Sequence, residues 1–186
     1  MAYFKYNKHR GLFGDSSGFL VLGFCLNLIS LSLNLIGFAA PFWVKITSST
    51  STTYIFGLWR LCKKSPVLTV CESFQDSEDW FWLIRGTASV GFGSLLLVSL
   101  ILFIYIFMME KRNRLVLISC LCLTVIAAVF ICITIVTFGS TKMEDILNLG
   151  DVALSEHVHF SYVLSVISMV TCCVAAMSLV FDIKYN

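Results

Sequence analysis

Eight cysteines and three histidines are the residues of this chain best equipped for chemistry, and their positions sort them quickly. Cys62 and Cys71, with eight residues between them, bracket the end of a polar stretch that begins Gly57-Leu58-Trp59-Arg60-Leu61. The other six, Cys25, Cys120, Cys122, Cys132, Cys172 and Cys173, lie in long apolar runs, where a free thiol packs as a small apolar side chain. Cys120 and Cys122 fall near one end of their run, a position suited to palmitoylation. Cys172-Cys173 has no histidine or acid beside it and makes a poor metal site. His157-x-His159, next to Glu156, has a spacing that aligns two imidazoles on a strand but splits them on a helix. A structural zinc needs further ligands, so no metal or cofactor is expected. No GxSxG, HExxH, Walker loop or nucleophile–base spacing is present. An enzyme is not expected, and no residue is assigned to catalysis or cofactor binding.

These residues are set among elements too apolar for water. Hydrophobic residues make up 58% of the 186-residue chain and charged residues 13%, about half the usual charged share of a soluble protein. A net charge of +2 gives no argument for nucleic acid. Four uncharged runs, 18–40, 86–109, 115–139 and 160–181, are each long enough to cross a hydrocarbon core of roughly 30 Å as a helix. They are apolar all round, as lipid-facing helices should be, and none carries an Asp, Glu, Lys or Arg. A proton relay or charged transport path therefore has no residues to use. The first run follows Lys5, Lys8 and Arg10 like a signal peptide, but it exceeds the roughly 7–15 residues of a signal core. It reads as a signal-anchor helix.

Charge placement orients the chain. Segments 1–17, 110–114 and 182–186 share one side and hold seven Lys/Arg in 27 residues; segments 41–85 and 140–159 hold six in 65. The denser side is expected to be cytosolic, with both termini, and the two longer loops exterior. Cys62 and Cys71 then share an oxidising exterior loop, where a disulfide between them would clamp a hairpin. Closing so short a loop contributes roughly 2.5–3 kcal/mol in the chain-entropy treatment. The loop itself reads as three or four short strands: Trp43–Thr47, Thr53–Phe56 leading into Gly57–Cys62, and Val67–Cys71, with a turn at Lys63–Pro66. Trp80-Phe81-Trp82 suits an interfacial belt, and residues 142–147 suit an extension of the third helix. Arg85, at the exterior start of the second helix, is either a snorkelling anchor or a donor to the sheet backbone or to an acid of the second loop. The expectation is an all-α membrane four-helix bundle with a small extracellular antiparallel β-sheet, one domain over residues 1–186.

Trp43, Gly57-Leu58-Trp59-x-x-Cys62 and Cys71, set between the first two of four spans, resemble the claudin signature W…GLW…C…C, and Arg85 matches too. The wider superfamily holds claudins, peripheral myelin and epithelial membrane proteins, lens fibre intrinsic proteins and calcium-channel gamma subunits. The resemblance implies a left-handed bundle with an extracellular sheet. In such a fold Trp43, Gly57, Leu58 and Trp59 fix the sheet to the bundle, and Cys62–Cys71 locks two strands. Some features depart from claudins. Only 15 residues separate Trp43 from Trp59, which trims a hairpin, and the tail Asp182–Asn186 lacks the hydrophobic end that PDZ domains capture. His159-Phe160-Ser161-Tyr162 resembles the epithelial and gamma-subunit branches, yet no N-x-S/T sequon is present, which the myelin and epithelial branch usually carries.

The resemblance implies adhesion and a paracellular barrier at cell–cell junctions of the plasma membrane. Its partners would be the lipid bilayer and further copies, in cis and in trans, with Ser89-x-x-x-Gly93 as a small-residue face for close helix approach. Glu72 matches a position where claudins often carry charge, and an acid there would favour cations. The alternative is an auxiliary, gamma-type subunit of an ion channel or receptor, or an epithelial-membrane-protein-like organiser of membranes.

Overall fold

The computed structural model describes residues 17–48, 52–73, 79–108, 113–140 and 154–185. Four helices dominate it: α1 (Gly18–Ala39), α2 (Asp79–Met108), α3 (Arg114–Ser140) and α4 (Phe160–Tyr185). They run for 22, 30, 27 and 26 residues, and each is long and apolar enough to cross a membrane. The chain is a multi-pass membrane protein. α1 packs mainly on α4, α4 on α3 and α3 on α2, and a lighter α1–α2 contact closes the ring.

Local chemistry sets the helix ends. Ser17 caps α1 by accepting from the Leu20 amide at 3.2 Å, and Pro41 follows the C-cap Ala40. Asn113 does the same for α3, its Oδ1 accepting from the Leu115 amide at 3.0 Å. α2 begins seven residues before its expected start, so Trp80-Phe81-Trp82 are helical and do not form part of the preceding loop. The reason is physical: Arg85 ends the uncharged run, but a charged residue with partners does not interrupt a helix. α4 likewise continues past Phe181 through Asp182 and Lys184.

The inward faces of α1 and α4 are smaller and more polar than their outward ones. α1 buries Gly23, Asn27, Ser30, Asn34 and Gly37; α4 buries Ser161, Ser165, Ser168, Cys172, Ala175 and Ser178. Most Leu, Ile and Val of these two helices point outward, as the absence of water beyond the helices allows, while Leu20 and Leu179 turn in. Small residues permit close approach. A Cβ on Gly37 would lie 2.3 Å from Ser165 Oγ and 3.1 Å from the Ser161 carbonyl oxygen. Ser30 and Ser168 then exchange hydrogen bonds, each hydroxyl donating to the other's carbonyl at 2.9 and 2.8 Å. Ser99 donates to Asn27 at 3.0 Å, and Thr87 and Thr134 pair at 2.9 Å.

Over one end of the bundle lies a five-stranded antiparallel sheet: β1 (Val44–Ser48), β2 (Thr53–Phe56), β3 (Arg60–Lys64), β4 (Thr69–Ser73) and β5 (Leu154–Val158), in the order β4-β3-β2-β1-β5. The loop strands extend the three or four expected, with β3 running through Lys63-Lys64 and the turn displaced to Ser65–Leu68, where the Ser65 amide donates to the Leu68 carbonyl at 2.9 Å. β5 was not foreseen. It comes from the second long loop and pairs Val44 with Val158 through Ser48 with Leu154. Residues 142–147, expected to extend α3, lie outside the described residues.

Candidate functional site: the junction of sheet and bundle

Alternation along β1 and β2 sends Val44, Ile46 and Phe56 toward the helices, where they bury with Trp43, Leu58, Ile84, Ala88 and Phe138 in one cluster. Trp43, 2% exposed, lies at its centre. Its indole Nε1 donates to the Gly37 carbonyl at 2.7 Å, its amide donates to the Phe56 carbonyl at 2.8 Å, and its carbonyl accepts from the His159 amide at 2.9 Å. Its ring meets Phe138 at 4.8 Å and Tyr162 at 5.8 Å. One side chain thus touches α1, α3 and α4, and its backbone joins β2 to the start of α4. The Phe42 carbonyl accepts from the Ser161 amide at 3.2 Å, satisfying one of the free donors of the first turn of α4.

Gly57-Leu58-Trp59 forms the turn between β2 and β3, closed by the Gly57 amide donating to the Arg60 carbonyl at 3.0 Å. Gly57 is required by proximity: a Cβ there would lie 2.4 Å from Pro41 Cα. Leu58 is fully buried. Trp59 lies across the boundary, its Nε1 donating to the Phe38 carbonyl at 2.9 Å and its ring meeting Phe38 edge-on at 5.1 Å.

Of the roles left open for Arg85, the structure shows the bond to the sheet-side backbone, while the acid side chains of the second loop lie outside the described residues. The Arg85 Nε donates to the Leu58 carbonyl at 2.8 Å, and its guanidinium carbon lies 4.5 Å from the Phe81 ring, 5.4 Å from Trp59 and 5.8 Å from Trp82. At 8% exposure it is a buried clamp on the turn, and a snorkelling role does not describe it. A charge-assisted bond to a carbonyl and flanking aromatic faces hold the cation at a membrane boundary.

Cys62 and Cys71 face each other across β3 and β4 and are joined by a disulfide. Beyond them the hairpin tip exposes Val67 at 93% and Leu68 at 63%. Glu72 is exposed on β4, an edge strand of the sheet. Among the described residues no cluster of three or more metal-binding side chains occurs. His157 lies on β5 and His159 just past its end. The His159 ring stacks on Phe42 at 5.3 Å. Cys120 is buried inside the bundle and is not placed for acylation, whereas Cys122 faces outward. Cys172 is also inside, its thiol donating to the Thr124 carbonyl at 3.4 Å. Ser89 and Gly93 face outward, and a Cβ on Gly93 would meet nothing within 4 Å. They take no part in packing within the bundle.

The expectation of uncharged spans needs correction at both ends. Arg85 lies inside α2, and Asp182 lies inside α4 with no exposed surface. Asp182 accepts a hydrogen bond from the hydroxyl of Ser17, tying the start of α1 to the end of α4. Sequence offered a signal for this pairing only in hindsight: the acid continues the Ser161, Ser165, Ser168, Cys172, Ala175, Ser178 series at helical spacing.

Neither a protein-family model nor a curated protein sequence matches this chain. The class is defined by architecture: a four-span membrane protein with a disulfide-bearing antiparallel sheet docked over one end of its helix bundle.

Proposed function

We propose that this is a claudin-like protein of the plasma membrane, acting in cell–cell adhesion and the paracellular barrier, with its termini cytosolic and its sheet exterior. The β3–β4 hairpin carries the reading. Its strands are covalently locked, β4 is an edge strand, and its tip presents two adjacent apolar side chains, Val67 and Leu68, with little cover. A stiff hairpin with an uncovered apolar tip suits contact with another protein surface. Support comes also from the convergence of Trp43, Gly57, Leu58, Trp59 and Arg85, the residues of the claudin-like signature, on a single junction. The outward Ser89 and Gly93 suit lateral association in the same membrane.

The test is expression in cells that form no junctional strands of their own. Accumulation at contacts between expressing cells, lost on Val67→Asp with Leu68→Asp while surface expression persists, is the expected result. Diffuse surface distribution with co-purification of a channel would overturn adhesion in favour of the auxiliary-subunit reading.

A further inference from the structure

We propose that Arg60, beside Trp59, binds the phosphate of a phospholipid headgroup in the leaflet on the sheet side of the bundle. An open groove of about 360 Å³, lined by Ala39, Pro41, Trp59 and Arg60, runs between the end of α1 and the β2–β3 turn. Its depth follows from helix length. The 22 residues of α1 rise about 33 Å, so Ala39 lies where the hydrocarbon ends and the headgroups begin. The half-exposed Trp59 and the exposed Trp82 lie near this level, as interfacial indoles do.

Among the described residues the groove is cationic and holds no counter-ion. Arg60 is exposed and forms no ion pair with any described residue. Glu72 pairs in register with Leu61, and neighbouring strand positions point to opposite faces, so this acid leaves the sheet on the face away from Arg60. Behind the groove the Arg85 Nε donates to the Leu58 carbonyl and its guanidinium lies 5.4 Å from the Trp59 ring, which helps to hold that wall in place. A planar guanidinium matches two phosphate oxygens at once, and the Trp59 ring forms a wall of the groove. Below it, exposed Leu35 and Ile36 on α1 offer an apolar track for acyl chains.

The experiment is native mass spectrometry of the full chain in maltoside micelles, titrated with dioleoylphosphatidylcholine. Dioleoylglycerol, with the same chains and no phosphate, is the comparison, and inorganic phosphate the competitor. One retained phospholipid is expected, with affinity falling roughly tenfold in Arg60→Gln and less in Arg60→Lys. Lys64→Gln, which removes an exposed cation from the far end of the same strand, should leave affinity unchanged. Equal retention of dioleoylglycerol, no effect of Arg60→Gln, or an equal effect of Lys64→Gln would overturn the site. Displacement by millimolar inorganic phosphate would make it a free-anion site and overturn the lipid assignment. Arg60 is exposed, so its variants should melt with the parent, which separates lost binding from lost fold.

Discussion

Replacing Gly57 by alanine adds a single methyl group and tests how the sheet is seated. The new Cβ would lie 2.4 Å from Pro41 Cα and 2.9 Å from its carbonyl carbon. Both are backbone atoms, which cannot swing aside as a side-chain tip can. Restoring ordinary contact requires the β2–β3 turn and the α1–β1 linker to separate by about 1 Å. That movement strains the Trp59 bond to Phe38, the Arg85 bond to Leu58 and the packing of Leu58, all held at the same turn. Overpacking of this kind costs about 1–3 kcal/mol. For a chain of this length that corresponds to a midpoint lower by roughly 2–12 °C. The assay is thermal unfolding in detergent followed by the monodisperse fraction on size exclusion. Gly93→Ala supplies the matched control, because its Cβ enters open space on a helix and replaces a poor helix former. It should be neutral or stabilising. A Gly57→Ala protein as stable as the parent, or indistinguishable from Gly93→Ala, would refute the claim that close approach to Pro41 dictates this glycine.

Other outcomes follow from the same geometry. Converting Cys62 and Cys71 together to serine should remove about 2.5–3 kcal/mol from the sheet, seen as faster amide exchange in β3 and β4 while the helices stay protected. Ser30→Ala and Ser168→Ala should be coupled in a double-mutant cycle by about 0.6–1.7 kcal/mol, since each hydroxyl serves the other's backbone. Full additivity would show that the pair is incidental. Under the barrier reading, Glu72→Gln should reduce cation preference in transepithelial dilution potentials without changing the melting midpoint, because the side chain is exposed. An unchanged preference removes Glu72 from selectivity.

Much of the architecture was written along the chain. Four uncharged runs of bilayer length dictated four helices, because lipid offers the backbone no other partner and only a closed hydrogen-bond ladder survives there. The alternating segments and the Cys62–Cys71 spacing dictated a stapled hairpin next to them. The cluster Trp43, Gly57-Leu58-Trp59 and Arg85 was legible as a group by its resemblance to the claudin signature. What each member touches was not.

Three features had no local signature. β5 joins β1 across more than a hundred residues, and no short-range pattern marks which edge a distant strand will take. The helix faces were hidden because residues apolar all round give little periodic contrast. Packing alone decided that serines and glycines turn inward while Ser89 and Gly93 stay outside. Arg85 and Asp182 marked run boundaries in sequence because they are charged. Tertiary contacts let them lie within helices, since the Leu58 carbonyl, three aromatic rings and the Ser17 hydroxyl take the place of water. The sequence by itself determined which segments must leave water and which cysteines must remain outside the membrane. Only the folded chain decided which polar groups could follow them inside, because a buried charge is tolerated only where partners from other elements surround it.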